Sequence, residues 1–244
     1  MNARDYLEIL HLAERLKDTL RHCTTSKRRT ESVAEHSWRV SLLAFLMRKE
    51  FPDVNMDKVI KMCLIHDLGE CFTGDIPTFE KTDADRKIED SLLRQWLHSL
   101  PENIAEEFLP LFDEMDAMQT PEAKICKALD KLEALIQHNE SPLDTWSENE
   151  FSLNKNYAFD TVAFSAPLTE LRNEILADTM KKIEEEQMEP HDYIVTDIQG
   201  DYAYLMQTDT DGAEPFQVAM ALLPPETDIG TKLRGFMGMF EVIG

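Results

Sequence analysis

The chain has 244 residues, 43% of them hydrophobic, enough for one substantial core plus a small annex and too apolar for an intrinsically disordered chain. Its 47 acidic residues against 25 basic ones give a net charge of −22, which argues against nucleic-acid polymers and anionic membranes, because both are bound through extended basic surfaces. Charges interrupt the N-terminal MNARDYLEIL, and no apolar run approaches the roughly 18 residues that suggest a membrane span, so a soluble cytoplasmic protein is expected.

In chain order, Tyr6, Ile9, Leu10, Ala13, Leu16 and Leu20 recur at helical spacing and open the chain with a helix. A basic turn segment follows. From Lys17 to Arg39 six basic residues stand against three acidic ones, a local +3 next to His36 that would help to focus phosphate. Residues 33–49 form a strongly apolar helix, and Val59, Met62, Cys63 and Ile65 mark a third that runs into His66-Asp67. Gly69 and the run Gly74-Asp75-Ile76-Pro77 signal where that helix ends. Further helices are expected over 83–100, 102–116, 121–138 and 167–187, with a polar, irregular stretch over 142–160. The body is therefore expected to be an all-helical bundle.

After Pro190 the pattern changes to short runs rich in Tyr, Val, Ile, Phe and Met, separated by Gly, Asp and Pro, as in YIVTDIQGDYAYLMQ and EPFQVAMALLPPETDIG. Strands and tight turns fit that spacing, so a small barrel or meander is expected, with domains at 1–188 and 189–244. Nine acidic residues against Lys232 and Arg234 from His191 onward argue against nucleic-acid binding by this module, and no catalytic constellation is visible in it.

The chemistry lies in the helical part. His36 stands in SVAEHS, His66-Asp67 in IHDLGE and Asp130 in KALDKLE, each within a largely apolar stretch. Two imidazoles and two carboxylates supply donors whose negative charge balances a divalent cation, and Mn, Fe, Co, Ni and Zn are all compatible. Such an ion polarises a phosphoryl group and makes a water nucleophile available near neutral pH. Asp130 has Cys126, Leu129 and Ala134 around it at helical spacing, so a buried carboxylate there needs a cation or a basic partner. Four cysteines at scattered spacings, Cys23, Cys63, Cys71 and Cys126, suggest neither a thiolate metal site nor a disulfide framework.

The stretches RTESVAEHS, IHDLGECFTGDIPT and KALDKLEA closely resemble the HD-domain phosphohydrolases, and within them the bacterial and eukaryotic 5′-deoxynucleotidases. The similarity runs in consistent order over about the first 185 residues. It implies an all-helical domain holding one divalent metal ion through His36, His66, Asp67 and Asp130, with Glu70 as the catalytic acidic residue. It also implies that Asp75 contacts the sugar and favours deoxyribose, that Arg21, fifteen positions before His36, contacts the substrate, and that the protein is a homodimer. Position 22 departs from the pattern, which has tryptophan where this chain has His22. Arg29 fits either phosphate or the bracing of its loop.

The reaction implied is hydrolysis of a nucleoside 5′-monophosphate, a deoxynucleotide in particular, to nucleoside and phosphate. The rival readings are an HD-type hydrolase acting on a diester or triphosphate, and a non-catalytic nucleotide-binding or assembly protein with a structural metal. Bimetallic members of the superfamily use extra histidines between the His-Asp pair and the last Asp. Here only His98 lies there, which favours a single ion.

Overall fold

The computed structural model describes residues 3–77, 80–188, 190–209, 213–236 and 238–243 of the chain. Thr78, the last residue of the IHDLGECFTGDIPT stretch, and Glu189, the first of the expected β module, lie outside the described residues. The chain divides into two compact units, Met1–Thr179 and Met180–Gly244, a division that falls inside the last long helix and not after it.

In the first unit α1 (Ala3–Ala13) leads to a short antiparallel hairpin of β1 (Leu20–Thr24) and β2 (Thr30–Ser32). There follow α2 (Val33–Met47), α3 (Met56–Ile65), the single turn α4 (Glu70–Thr73), α5 (Asp83–Ser99), α6 (Glu102–Ala117), α7 (Pro121–Glu140), α8 (Glu148–Asn156), α9 (Phe159–Val162) and α10 (Ala166–Met188). The expected helical bundle is present, with two corrections. The basic segment is not a plain turn but a hairpin, so the body is not purely helical. The stretch 142–160 is largely helical, through α8 and α9. Hydropathy hid α8 because its inward face is polar: Glu150 and Asn154, four residues apart, are buried, and the buried Arg172 guanidinium donates to the carbonyls of Asn154 and Tyr157, at 2.8 Å each.

Helix α7 runs through the core. Ile125, Ala128, Leu129, Leu132 and Leu135 repeat at three- and four-residue spacing and pack with Val40 and Ala44 of α2 and with Val59, Met62 and Cys63 of α3. Its start is fixed by Thr120, whose hydroxyl accepts the Ala123 N–H, and by Pro121 in the first turn. Helix α2 starts at a reciprocal capping box between Ser32 and Glu35, which sets the turn that carries His36.

In the second unit five antiparallel strands, β3 (His191–Gln199), β4 (Tyr202–Gln207), β5 (Phe216–Ala219), β6 (Lys232–Phe236) and β7 (Met239–Val242), form a sheet of order β5-β4-β3-β6-β7. Of the barrel or meander expected, this is the meander, with one non-sequential pairing between β3 and β6. Alternate residues Val195, Ala203, Leu205, Val218 and Leu233 make its core. A side chain at Gly235 would meet ring carbons of Tyr193 and Phe240 at 2.7 Å, so the closest approach in this sheet requires glycine.

Candidate metal centre

Three helical supports bring the expected donors together. His36 lies in the second turn of α2, His66 caps the C-terminus of α3, Asp67 follows in the turn before α4, and Asp130 lies midway along α7. One ligand atom each from His36, His66 and Asp67 can be chosen so that all lie within 4.8 Å of one another. His36 Nε2 is 3.2 Å from Asp130 Oδ1 and 3.7 Å from Asp67 Oδ2, while His66 Nε2 is 3.2 Å from Asp67 Oδ2 and 3.7 Å from Asp130 Oδ1. Donor atoms about 2.1 Å from one ion stand about 3 to 3.4 Å apart, so these separations suit a shared ion.

The other face of each ring says which nitrogen is bare. His66 Nδ1 is 2.9 Å from the Cys63 carbonyl oxygen, which can only accept, so Nδ1 carries the hydrogen. His36 Nδ1 likewise faces Glu133 Oε2 in a very short contact. In the neutral rings both Nε2 lone pairs therefore point toward carboxylate oxygens, and His66 Nε2, though buried, makes no aligned hydrogen bond. Acceptors facing acceptors are stable only with positive charge between them. Protons are one source of such charge. Burial opposes charging of His66, yet Asp67 and Asp130 outweigh it and push its pKa up to about 10. Burial likewise opposes ionisation of Asp130, but Lys127, 2.8 Å away, and the two imidazoles hold its carboxyl well below the usual range. A divalent ion would supply positive charge at the same place. The donor set fits such an ion.

Asp130 thus has the basic partner that its burial called for, in Lys127, as well as the imidazoles. A cavity of about 440 Å3 opens beside it, lined by His66, Asp67, Asp130 and Lys127 at one end and by Arg86 and Asp90 of α5 elsewhere. His36 is 1% exposed and braces the set from behind.

Glu70, Asp75 and Arg21 do not line this cavity, but Asp67 bears on the charge of all three. Glu70 does not continue the α3 helical face, since α3 ends at Ile65 and Glu70 starts a new turn, its N–H donating to the Asp67 carbonyl at 3.0 Å. It is buried, with Oε2 lacking a hydrogen bond, and burial with the neighbouring Asp67 and Asp75 pushes its pKa up to about 10. Burial also raises Asp75, against the opposing pull of Arg21. The Arg21 guanidinium is half-buried and donates to Glu31 at 2.9 Å, with Glu133 at 3.5 Å. Arg29 forks onto Glu35 at 2.7 and 2.9 Å and so braces its loop. The local excess of positive charge is largely spoken for: Arg28 pairs with Asp144, and Arg39 with Glu140 and Glu133.

Two buried carboxylates beside this site do not stand out in the sequence, Glu31 and Glu133, which are 2% and 1% exposed. Glu133 orients His36 and takes charge from Arg21 and Arg39, and Glu31 anchors Arg21. The available signal was spacing, since Glu133 follows Asp130 by three residues and so shares its helix face.

A family model described as HD domain matches residues 13–172. The human 5′-deoxynucleotidase HDDC2 is 28% identical over 194 residues, covering 78% of this chain and 93% of the human one. The cattle 5′-deoxynucleotidase HDDC2 is 30% identical over 142 residues, covering 57% of this chain and 68% of its own. Among solved structures, a predicted metal-dependent phosphohydrolase from Magnetospirillum magnetotacticum MS-1 superposes with a TM-score of 0.63 at 25% identity, over 73% of this chain and 95% of that one.

Proposed function

Since the chain belongs to the HD-domain family, we propose that it is a metal-dependent phosphomonoesterase that hydrolyses nucleoside 5′-monophosphates, deoxynucleotides above all, to nucleoside and inorganic phosphate. The observation that carries this reading is the pair of bare imidazole nitrogens facing Asp67 and Asp130 at one end of an open cavity. The 5′-deoxynucleotidase relatives support the substrate class.

His36, His66, Asp67 and Asp130 would hold the divalent ion. When bound, it would supply Lewis-acid polarisation of the phosphoryl group and activation of water. The remaining roles fall to side chains. Glu133 and the Cys63 carbonyl fix the ring orientations of the two histidines, which keeps the donors preorganised. Glu70 Oε2, buried without a hydrogen bond, is the group that would exchange a proton with the leaving 5′ oxygen or the attacking water. Arg21, preset by Glu31, would offset phosphate charge through its planar donor fork, and Asp75 would accept from the sugar hydroxyl.

The reading extends to a homodimer in the cytoplasm. Exposed Trp38, Leu42, Phe45 and Leu46 on α2 support an apolar contact surface, and four unpaired cysteines suit a reducing compartment. No described helix is long and apolar enough to cross a membrane.

The test is phosphate release from nucleoside 5′-monophosphates, with diester and triphosphate nucleotides as further arms, after metal stripping and readdition of single ions. Deoxynucleoside monophosphates are expected to be the best substrates. Turnover is expected to vanish on stripping and return with one or more of Mn, Co, Fe, Ni or Zn. Asp130→Ala should lose that ion and reduce turnover by at least about 100-fold. Full turnover in that variant, or in the stripped protein, would sink the assignment.

A further inference from the structure

Cys63 on α3 and Cys126 on α7 stand side by side in the core, with their sulfurs 3.7 Å apart and no bond between them. Buried thiols are ordinarily inert, because an oxidant cannot reach them. This pair differs in two ways. Each sulfur has the other within contact, so an oxidised sulfur has a partner at hand to resolve it. Cys126 also forms part of the wall of the cavity that opens beside His66, Asp67 and Asp130, whereas Cys63 does not line it. A small oxidant that enters this cavity therefore meets Cys126 first, with Cys63 behind it.

A disulfide holds its sulfurs about 2.04 Å apart, so the two must close by about 1.7 Å. Each side chain turns about a single χ1 bond, and α3 and α7 already share one core with Val59, Met62, Leu129 and Leu132. Rotation of the thiols with a small shift of the helices brings the sulfurs to bonding distance. The backbone that carries them is also the backbone of the metal centre. The Cys63 carbonyl accepts from His66 Nδ1 at 2.9 Å, and Asp130 stands one turn after Cys126 on α7. Because interiors are close-packed, drawing the two cysteines together moves the supports of His66 and Asp130, whose ligand atoms now lie 3.7 Å apart.

We propose that Cys63 and Cys126 are a redox-active dithiol, which hydrogen peroxide converts to a disulfide between α3 and α7, and that this crosslink loosens the hold of the centre on its ion. The Cys126 sulfur, having released its proton, attacks one peroxide oxygen. The O–O bond breaks, leaving a sulfenic acid on Cys126 and a hydroxide that takes up that proton as water. The Cys63 sulfur then attacks the Cys126 sulfur, the S–O bond breaks, and the departing hydroxide takes the Cys63 proton to give a second water. The two thiols lose two electrons in all, and the peroxide gains them. A thiol reductant reverses the change. The crosslink stands whether or not the protein is a phosphatase, while its effect on the ion rests on the metal centre proposed above.

The test exposes the metal-stripped full chain to excess hydrogen peroxide, blocks the remaining thiols under denaturing conditions and maps the peptides by mass spectrometry. Loss of two of the four free thiols is expected, with Cys63 and Cys126 recovered in one linked peptide that dithiothreitol separates. Cys63→Ser should stop at a sulfenic acid on Cys126, trapped by dimedone, and Cys126→Ser should keep its remaining thiols. Four thiols retained in the unmodified chain, or a linkage between other cysteines, would overturn the proposal, and this result needs neither variant to fold. The coupling is read by manganese(II) titration, since manganese prefers oxygen and nitrogen donors and leaves the thiols of the reduced form aside. The oxidised chain is expected to bind manganese about 10-fold or more weakly than the reduced one, with affinity restored by dithiothreitol. Equal affinity in the two forms would refute the coupling. Failure of both forms to bind would count against the metal centre itself, with the linked peptide still deciding the dithiol.

Discussion

Individual side chains divide here into those that touch the proposed ion and those that aim them. Glu133 is the clearest of the second kind, since it fixes His36 Nδ1 while compensating Arg21 and Arg39. Glu133→Gln keeps the shape and removes the charge. It is expected to weaken divalent-metal affinity by about 10- to 100-fold with little change in the helical circular-dichroism signal, measured by titration of the stripped protein. If Asp75 contacts the sugar as proposed, Asp75→Ala should compress the ratio of kcat/KM for deoxyribose over ribose monophosphates. An unchanged ratio removes Asp75 from the sugar site. That His36, His66, Asp67 and Asp130 come together was legible in the sequence because polar residues stood out in apolar stretches with a known motif. Glu31 and Glu133 were not, because a glutamate on a helix is ordinarily a solvated residue and only the folded packing buries it.

Among elements, the contact that ties α3, α6 and the start of α7 together is carried by Glu114. Its carboxylate accepts from Lys58 at 2.7 and 2.9 Å and from the hydroxyl of Thr120, the N-cap of α7, at 2.5 Å. Burial would raise the pKa of Glu114, but Lys58 and Thr120 prevail and hold it below the usual 4.5. A depressed carboxylate contributes stability that is present above its unfolded pKa and lost as pH falls through the folded one. Glu114→Gln is therefore expected to cost about 1 kcal/mol at pH 7 and progressively less below pH 4.5, read from urea midpoints across that range. An equal cost at pH 7 and pH 3 would contradict it. The long helices were legible here because α7 repeats its apolar residues at helical spacing and carries its own cap and proline. The hairpin and α8 were not: β1 has no strand alternation through its bulge, and α8 turns Glu150 and Asn154 inward in place of apolar residues.

For the whole molecule, the net charge of −22 sets a repulsive background that the ion pairs around the hairpin relieve only locally. Raising salt from about 10 to about 150 mM shortens the screening length from about 30 to about 8 Å. The melting temperature is expected to rise by a few degrees over that interval, followed by circular dichroism, and a fall would show that attractive pairs dominate. The change of pattern near Pro190 made a second module legible, but the pairing of β3 with β6 was not, since it joins strands that are distant in the chain and no turn chemistry announces it. Distance along the chain matters at the centre as well. His36 and Asp130 are 94 positions apart, so their contact closes a very large loop and forms only once α7 has docked. A chain still emerging from the ribosome at residue 129 owns three of the four donors and lacks the last. If the four residues hold an ion as proposed, loading would follow synthesis of more than half the polypeptide, and a translation pause before α7 would leave a half-built pocket of two histidines and one aspartate.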